Sequence, residues 1–292
     1  METKYELQRI EGAAPMTLST RSAVLHIALG LTLLFLGGAA FAGVMIIREQ
    51  TIPDLLFSIE SARSWFGLTM PMNEDRVLYS MAASIGATLL ALIGLISVER
   101  FFRRTLSPQV FFFALFLVGL AFEGGRTGQA YLFSRGVSYA LLGTLTRFVA
   151  FGRILAMSSL VASSLYAAGI SYQKHGVVLA IIVAISGGVS YASPVNTLVI
   201  APDLLFRVGE GYSVDVVHLL LGIVAAVNYL QAAWSEERRE YVAHAGALLA
   251  IVIGWLLIIE IPMVPGIGVG AALLTGGTAL FLKRRYSSYL WS

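Results

Sequence analysis

The chain has 292 residues, 57% of them hydrophobic and only 13% charged, with 20 Lys and Arg against 17 Asp and Glu; that is about half the charged share of an average soluble domain. With mean hydropathy at +0.79, this composition excludes a soluble enzyme and calls for a polytopic helical membrane protein. The absence of cysteine removes disulfide scaffolds, CxxC zinc sites, c-type haem attachment and thiol nucleophiles. The small net charge of +3, carried by basic residues beside apolar runs, reads as membrane topology and not as nucleic-acid binding.

Residues 1–21 are polar and form a cytoplasmic N-terminal segment in this reading. Apolar runs follow at 22–47, 77–98, 109–130, 148–171, 177–200, 214–234, 242–259 and 266–282, each near the roughly 20 helical residues that cross a hydrocarbon core. The expected fold is therefore an all-α bundle of eight transmembrane helices in one domain, 22–285, with a short cytoplasmic tail at 286–292. Ala40, Ala42 and Gly43 would suit a signal cleavage site, but the long polar leader and the apolar run on to Ile47 favour a span. Arg100, Arg103, Arg104, Lys174, Arg238, Arg239, Lys283, Arg284 and Arg285 share one side if the spans alternate. That side is cytoplasmic by the positive-inside rule, which places both termini inside and the protein in the cytoplasmic (inner) membrane. Trp65, Tyr79, Tyr131 and Tyr212 then mark the outer boundary, and Tyr172, Trp234, Tyr241, Tyr286 and Trp291 the inner one.

Two stretches invite local readings. Residues 136–147 are weakly apolar, and suit either an outer-surface helix or an extension of the fourth span. Between the first two spans, Leu55, Leu56, Ile59, Ala62 and Trp65 fall on one helical face, which predicts a short helix in the outer interface. Gly37, Gly38, Gly266, Gly268, Gly270, Gly276 and Gly277, with neighbouring alanines, read as close-packing faces of the first and last spans.

Charged residues inside spans are expensive, at least about 2.5–3.5 kcal/mol each at the bilayer centre, so each needs a partner, water or a function. Glu123 stands fourteen residues beyond the start of the third span, about 21 Å along it, and Arg126 follows at i+3 on the same face. Arg147 and Arg153 enter the same leaflet from the fourth span. Six residues apart, they point to different faces, and Arg153 is the expected partner of Glu123. The fifth span is interrupted by Gly187, Gly188, Ser193, Pro194 and Asn196, a discontinuity of the kind that lines transporter sites. The sixth opens with Asp215 and His218, an acid beside an imidazole.

These residues define the candidate ligand set: Glu123, Arg126, Arg147, Arg153, Ser193, Asn196, Asp215 and His218. Their alternative is a closed network of interhelical ion pairs that only fixes packing. The leading functional expectation is a transport-type protein that takes a small polar or anionic solute, or a proton, into an outward-facing site, with Glu123 lining a hydrated cavity. Two other classes stay open: a sensor or assembly subunit acting through a membrane-protein partner or a homo-oligomer, and a lipid-modifying enzyme using Glu123, Asp215 and His218. HExxH, GxSxG and P-loop motifs are absent. No cofactor is expected; His26 and His244, at similar depth near the inner boundary, would be the pair for a haem or metal. The lipid bilayer is the remaining partner.

Overall fold

The structure is a computed structural model and describes residues 18–56, 58–59, 62–63, 69–70, 72–102, 107–169, 175–209, 213–235, 240–261 and 263–290. Its helices are α1 (Leu18–Arg48), the five-residue α2 (Ile52–Leu56), α3 (Glu74–Phe102), α4 (Pro108–Ala121), α5 (Gly124–Ser134), α6 (Tyr139–Ala167), α7 (His175–Ala192), α8 (Ser213–Ser235), α9 (Glu240–Glu260) and α10 (Val264–Leu290). Two small antiparallel hairpins complete it: β1 (Ala62–Arg63) with β2 (Thr69–Met70), and β3 (Val195–Ile200) with β4 (Phe206–Val208). Among the described residues, eight helices are long and apolar enough to cross a membrane, with α4 and α5 together forming the third, Pro108–Ser134. This architecture fits a multi-pass membrane protein.

The third span is the axis of the bundle. Ser107 caps it by accepting from the Val110 amide, and Pro108 occupies the first turn, where its missing N–H has no intrahelical partner to lose. Every residue of α4 is buried, as an all-round apolar helix requires. α3 and α6 pack on α4, while α1 covers α5 and α3. α6 also carries α7 and α8, and α8, α9 and α10 pack in succession back onto α3. The main core runs through the bundle. A smaller one, including Ile46, Leu55, Met81, Leu204 and Phe206, gathers at the end where β3 and β4 lie.

α4 and α6 cross so closely that glycine is required on both. A Cβ on Gly119 would stand 2.5 Å from the Gly152 carbonyl oxygen, and one on Gly152 would stand 2.4 Å from Phe122 Cβ. Gly254, Gly270 and Gly277 make a second tight contact, between α9 and α10. The expectation of close packing fails for Gly37, Gly38, Gly268 and Gly276, which have nothing within 4 Å of a built Cβ: they face away from the bundle.

Several span boundaries differ from the hydropathy reading. Residues 139–147 belong to α6, which starts after a turn at Gly136 (φ 66°) and Ser138; weak apolarity suffices there because half of the face is packed. The fifth span ends at Ala192, short of 200. Pro194 has no N–H to donate and disfavours helix in the residue before it, and the β-branched segment that follows pairs as β3. Among the described residues between the first two spans, helix is confined to α2; Ile59 instead bridges to Ile200, and Trp65 lies outside the described residues, as do Tyr172, Tyr212 and Trp291.

Gly152→Ala should destabilise the protein by about 1–3 kcal/mol through overpacking. Gly128→Ala, at a helical glycine with nothing within 4 Å, should be neutral or stabilising by up to about 1 kcal/mol. Melting temperatures of the two variants in one detergent check the contrast.

Candidate functional site: an ion-pair cluster under a hairpin tip

The central span breaks where its charges sit. After Ala121 the hydrogen bonds shorten to i→i−3: the Glu123 amide donates to the Leu120 carbonyl at 3.2 Å, and the Arg126 amide to the Glu123 carbonyl at 3.1 Å. This is 3₁₀-type geometry, and it bends the span. Two hydroxyls from α3 support the turn, Ser84 donating to the Glu123 carbonyl at 2.6 Å and Thr88 to that of Ala121 at 3.4 Å. Gly124 lets α1 and α3 come close, since a Cβ there would lie 3.0 Å from Thr88 Oγ1 and 3.1 Å from the Phe35 carbonyl oxygen.

The turn aims Glu123 at two arginines. Arg153 Nε donates to its Oε1 at 2.8 Å and Arg153 Nη2 to its Oε2 at 3.1 Å, while Arg126 Nη1 reaches Oε2 at 3.3 Å. Arg153 reaches Glu123 because Gly152, its neighbour, permits the tight crossing with α4. The pairing with Arg153 is the one read from depth in the sequence. Glu123 is 1% exposed and Arg126 0%.

The fourth member comes from a connection, not from a span. Residues 201–205 join β3 to β4 in a tight turn, with Leu204 at φ 69° and the Ala201 amide bonded to the Leu205 carbonyl at 2.7 Å. Asp203 at this tip accepts from Arg153 Nη2 at 2.8 Å, and its backbone carbonyl accepts from Arg126 Nε at 2.8 Å. Ser80 donates to the Pro202 carbonyl at 2.9 Å, and the Phe206 amide donates to Thr146, whose hydroxyl donates in turn to Gln129. The tip is thereby bound to α3, α5 and α6 together. Burial opposes ionisation of Asp203, but Arg153 and Arg126 outweigh it and hold the carboxyl below the usual carboxylate range.

A cavity of about 100 Å³ adjoins this cluster, room enough for several waters or a small solute. Arg153, Asp203, Phe206, Arg207, His218 and Glu260 are among its walls. The His218 ring lies edge-on to Trp255 with centroids 5.2 Å apart, and its buried Nε2 has no hydrogen-bond partner among the described residues.

No protein-family model, no characterised protein and no solved structure matches this chain.

Glu123, Arg126, Arg153 and His218 of the expected set do gather, but Glu123 sits behind Arg153 and Asp203 and does not line the cavity. Arg147 is turned away, its guanidinium 5.7 Å from the centroid of Tyr191 on α7. Ser193 bonds to the Val189 carbonyl at the end of its own helix, and Asn196, exposed on β3, accepts from the Leu198 amide; neither contributes to the cavity lining. The Asp215 side chain lies outside the described residues. His26 contacts Glu99 at 3.4 Å and the Ser22 carbonyl, while His244 bonds to the Glu240 carbonyl and stacks on Tyr229, so each histidine has separate neighbours. No group of three His, Cys, Asp or Glu placed to hold a metal occurs among the described residues.

Asp203 is the residue that sequence reasoning missed. The available signal was arithmetic: Glu123 alone leaves Arg126 and Arg153 half neutralised, and Ala201-Pro202-Asp203 is a turn set between two apolar runs.

Glu123→Gln leaves two buried guanidinium groups without their shared anion and should lower stability by roughly 3–5 kcal/mol. Because the Asp203 carboxyl is held below its unfolded value of about 4, its stabilisation is complete above that pH and is lost as pH falls through the lower folded value. Asp203→Asn should therefore make the acid limb of a melting-temperature profile shallower; an unchanged limb would show that Asp203 is not ionised in the cluster.

Proposed function

We propose that this is a transport-type protein of the cytoplasmic membrane, with both termini inside, that binds a small polar or anionic solute, or exchanges a proton, in the cavity at its outward end. One observation carries this reading: Arg153, engaged by a hairpin carboxylate, and His218, whose Nε2 has no hydrogen-bond partner among the described residues, line the same small chamber. A solute carboxylate or phosphate is chemically equivalent to Asp203 as an acceptor for Arg153. Exchange of one anion for the other keeps the guanidinium paired and frees the hairpin tip. Glu123 and Arg126 stay behind as the fixed half of the cluster, and the His218 ring donates to or accepts from the bound group.

A second reading, a sensor or assembly subunit, gains from the same latch, because release of the tip is a structural change that a partner can read. The open faces at Gly37, Gly38 and Gly276 suit a partner helix or a second copy. A lipid-modifying role draws no comparable support, since Glu123 is enclosed by arginines.

Purified protein in proteoliposomes, challenged with a panel of small carboxylates and with inorganic phosphate, should show saturable uptake or binding. His218→Phe preserves the ring against Trp255 and should weaken that binding up to about tenfold. No saturable binding, together with a stoichiometric co-purifying partner, would replace transport with the sensor or assembly reading.

A further inference from the structure

Arg147 is one residue whose charge the cluster does not use. It lies on a different face of α6 from Arg153, in an open groove of about 450 Å³ whose walls include Leu132, Leu141, Leu145, Phe148, Phe151 and Tyr191. α6 forms the floor, with Leu132 of α5 along one edge and the end of α7 along the other. Apart from Arg147, this lining is apolar or a neutral hydroxyl or phenol. Arg147 pairs with no carboxylate among the described residues, and its buried Nε has no hydrogen-bond partner there. Ser190 bonds to the Arg147 backbone carbonyl at 2.5 Å, which leaves the guanidinium free and fixes α7 beside it.

The depth of the charge follows from Tyr191. The guanidinium lies over that ring, one residue before α7 ends at Ala192. Long helical side chains lean toward the N-terminus of their helix, so Arg147 reaches toward Thr144 and the span boundary, while Phe148 and Phe151 continue the groove toward the middle of the span. A cation with an interfacial tyrosine at the span boundary, above an aromatic and aliphatic trough opening sideways, has the charge and polarity order of a phospholipid: phosphate first, then acyl chain.

We propose that this groove holds one anionic phospholipid, its phosphate on the Arg147 guanidinium and an acyl chain along Leu145, Phe148 and Phe151. The site is independent of the cavity beside Arg153 and of the function proposed for it. The lipid supplies the counter-charge that the protein withholds from Arg147, and it fills the groove beside the packing of α7 on α6.

Native mass spectrometry after exchange into phosphatidylglycerol, with phosphatidylcholine as the comparison, tests this on the full chain. The wild type should retain one phosphatidylglycerol. Arg147→Gln should reduce retention about tenfold. Leu141→Trp, which narrows the groove at a half-exposed position with the charge intact, should also reduce it, with the melting temperature in detergent unchanged. Retention by Arg147→Gln equal to the wild type, indifference to Leu141→Trp, or displacement of the lipid by millimolar inorganic phosphate alone would each overturn the proposal.

Discussion

Two guanidinium groups buried inside an apolar bundle need carboxylates at hydrogen-bonding distance, and much of this structure follows from supplying them. Glu123 answers both arginines from within the central span, which can point it correctly only by tightening into 3₁₀ geometry at that turn. Ser84 and Thr88 take up the carbonyls at the bend, and the Gly119 and Gly152 crossing brings α6 close enough for Arg153 to arrive. Asp203 then completes the neutralisation from outside the spans. Removing any one member leaves a buried charge exposed to its own desolvation cost, so the cluster holds as a unit.

Asymmetry between the two carboxylates gives the cluster its functional interest. Glu123 is on a helix buried on all sides and has nowhere to go. Asp203 is at the tip of a short hairpin, tied down by single hydrogen bonds from Ser80 and Arg126 and by one to Thr146, and it borders the cavity. Local opening is drawn more readily from connections than from a buried span, and of the two carboxylates only Asp203 lies on a connection. In the proposed exchange, a competing anion at Arg153 takes the place of the Asp203 carboxylate without leaving the arginine bare.

Hydropathy carried the eight spans because each is long and apolar, and depth along the helices carried the pairing of Glu123 with Arg126 and Arg153. Residues 136–147 were ambiguous for the opposite reason: a span half covered by protein can be weakly apolar, so hydropathy understates it. Gly187, Gly188, Ser193, Pro194 and Asn196 read as an interruption within the fifth span, whereas Pro194 follows the end of the helix and the next segment becomes a strand. Membrane depth does not single out Asp203, because it lies in a connection; only the uncompensated charge of Arg126 and Arg153 points to a further carboxylate. Glycine spacing likewise identified which residues are small, not which face inward: Gly152 and Gly270 are packed while Gly37 and Gly276 are open.

The account rests on the hairpin tip being held in the bundle by a charge pair across the cavity wall. A double-mutant cycle on Arg153→Met and Asp203→Leu, followed by unfolding in mixed micelles, measures that pair directly. A coupling of at least about 1.5 kcal/mol is expected for close, buried partners. Additive effects, within about 0.5 kcal/mol, would mean that the hairpin is seated by its apolar contacts and its other hydrogen bonds, and that the latch does not exist.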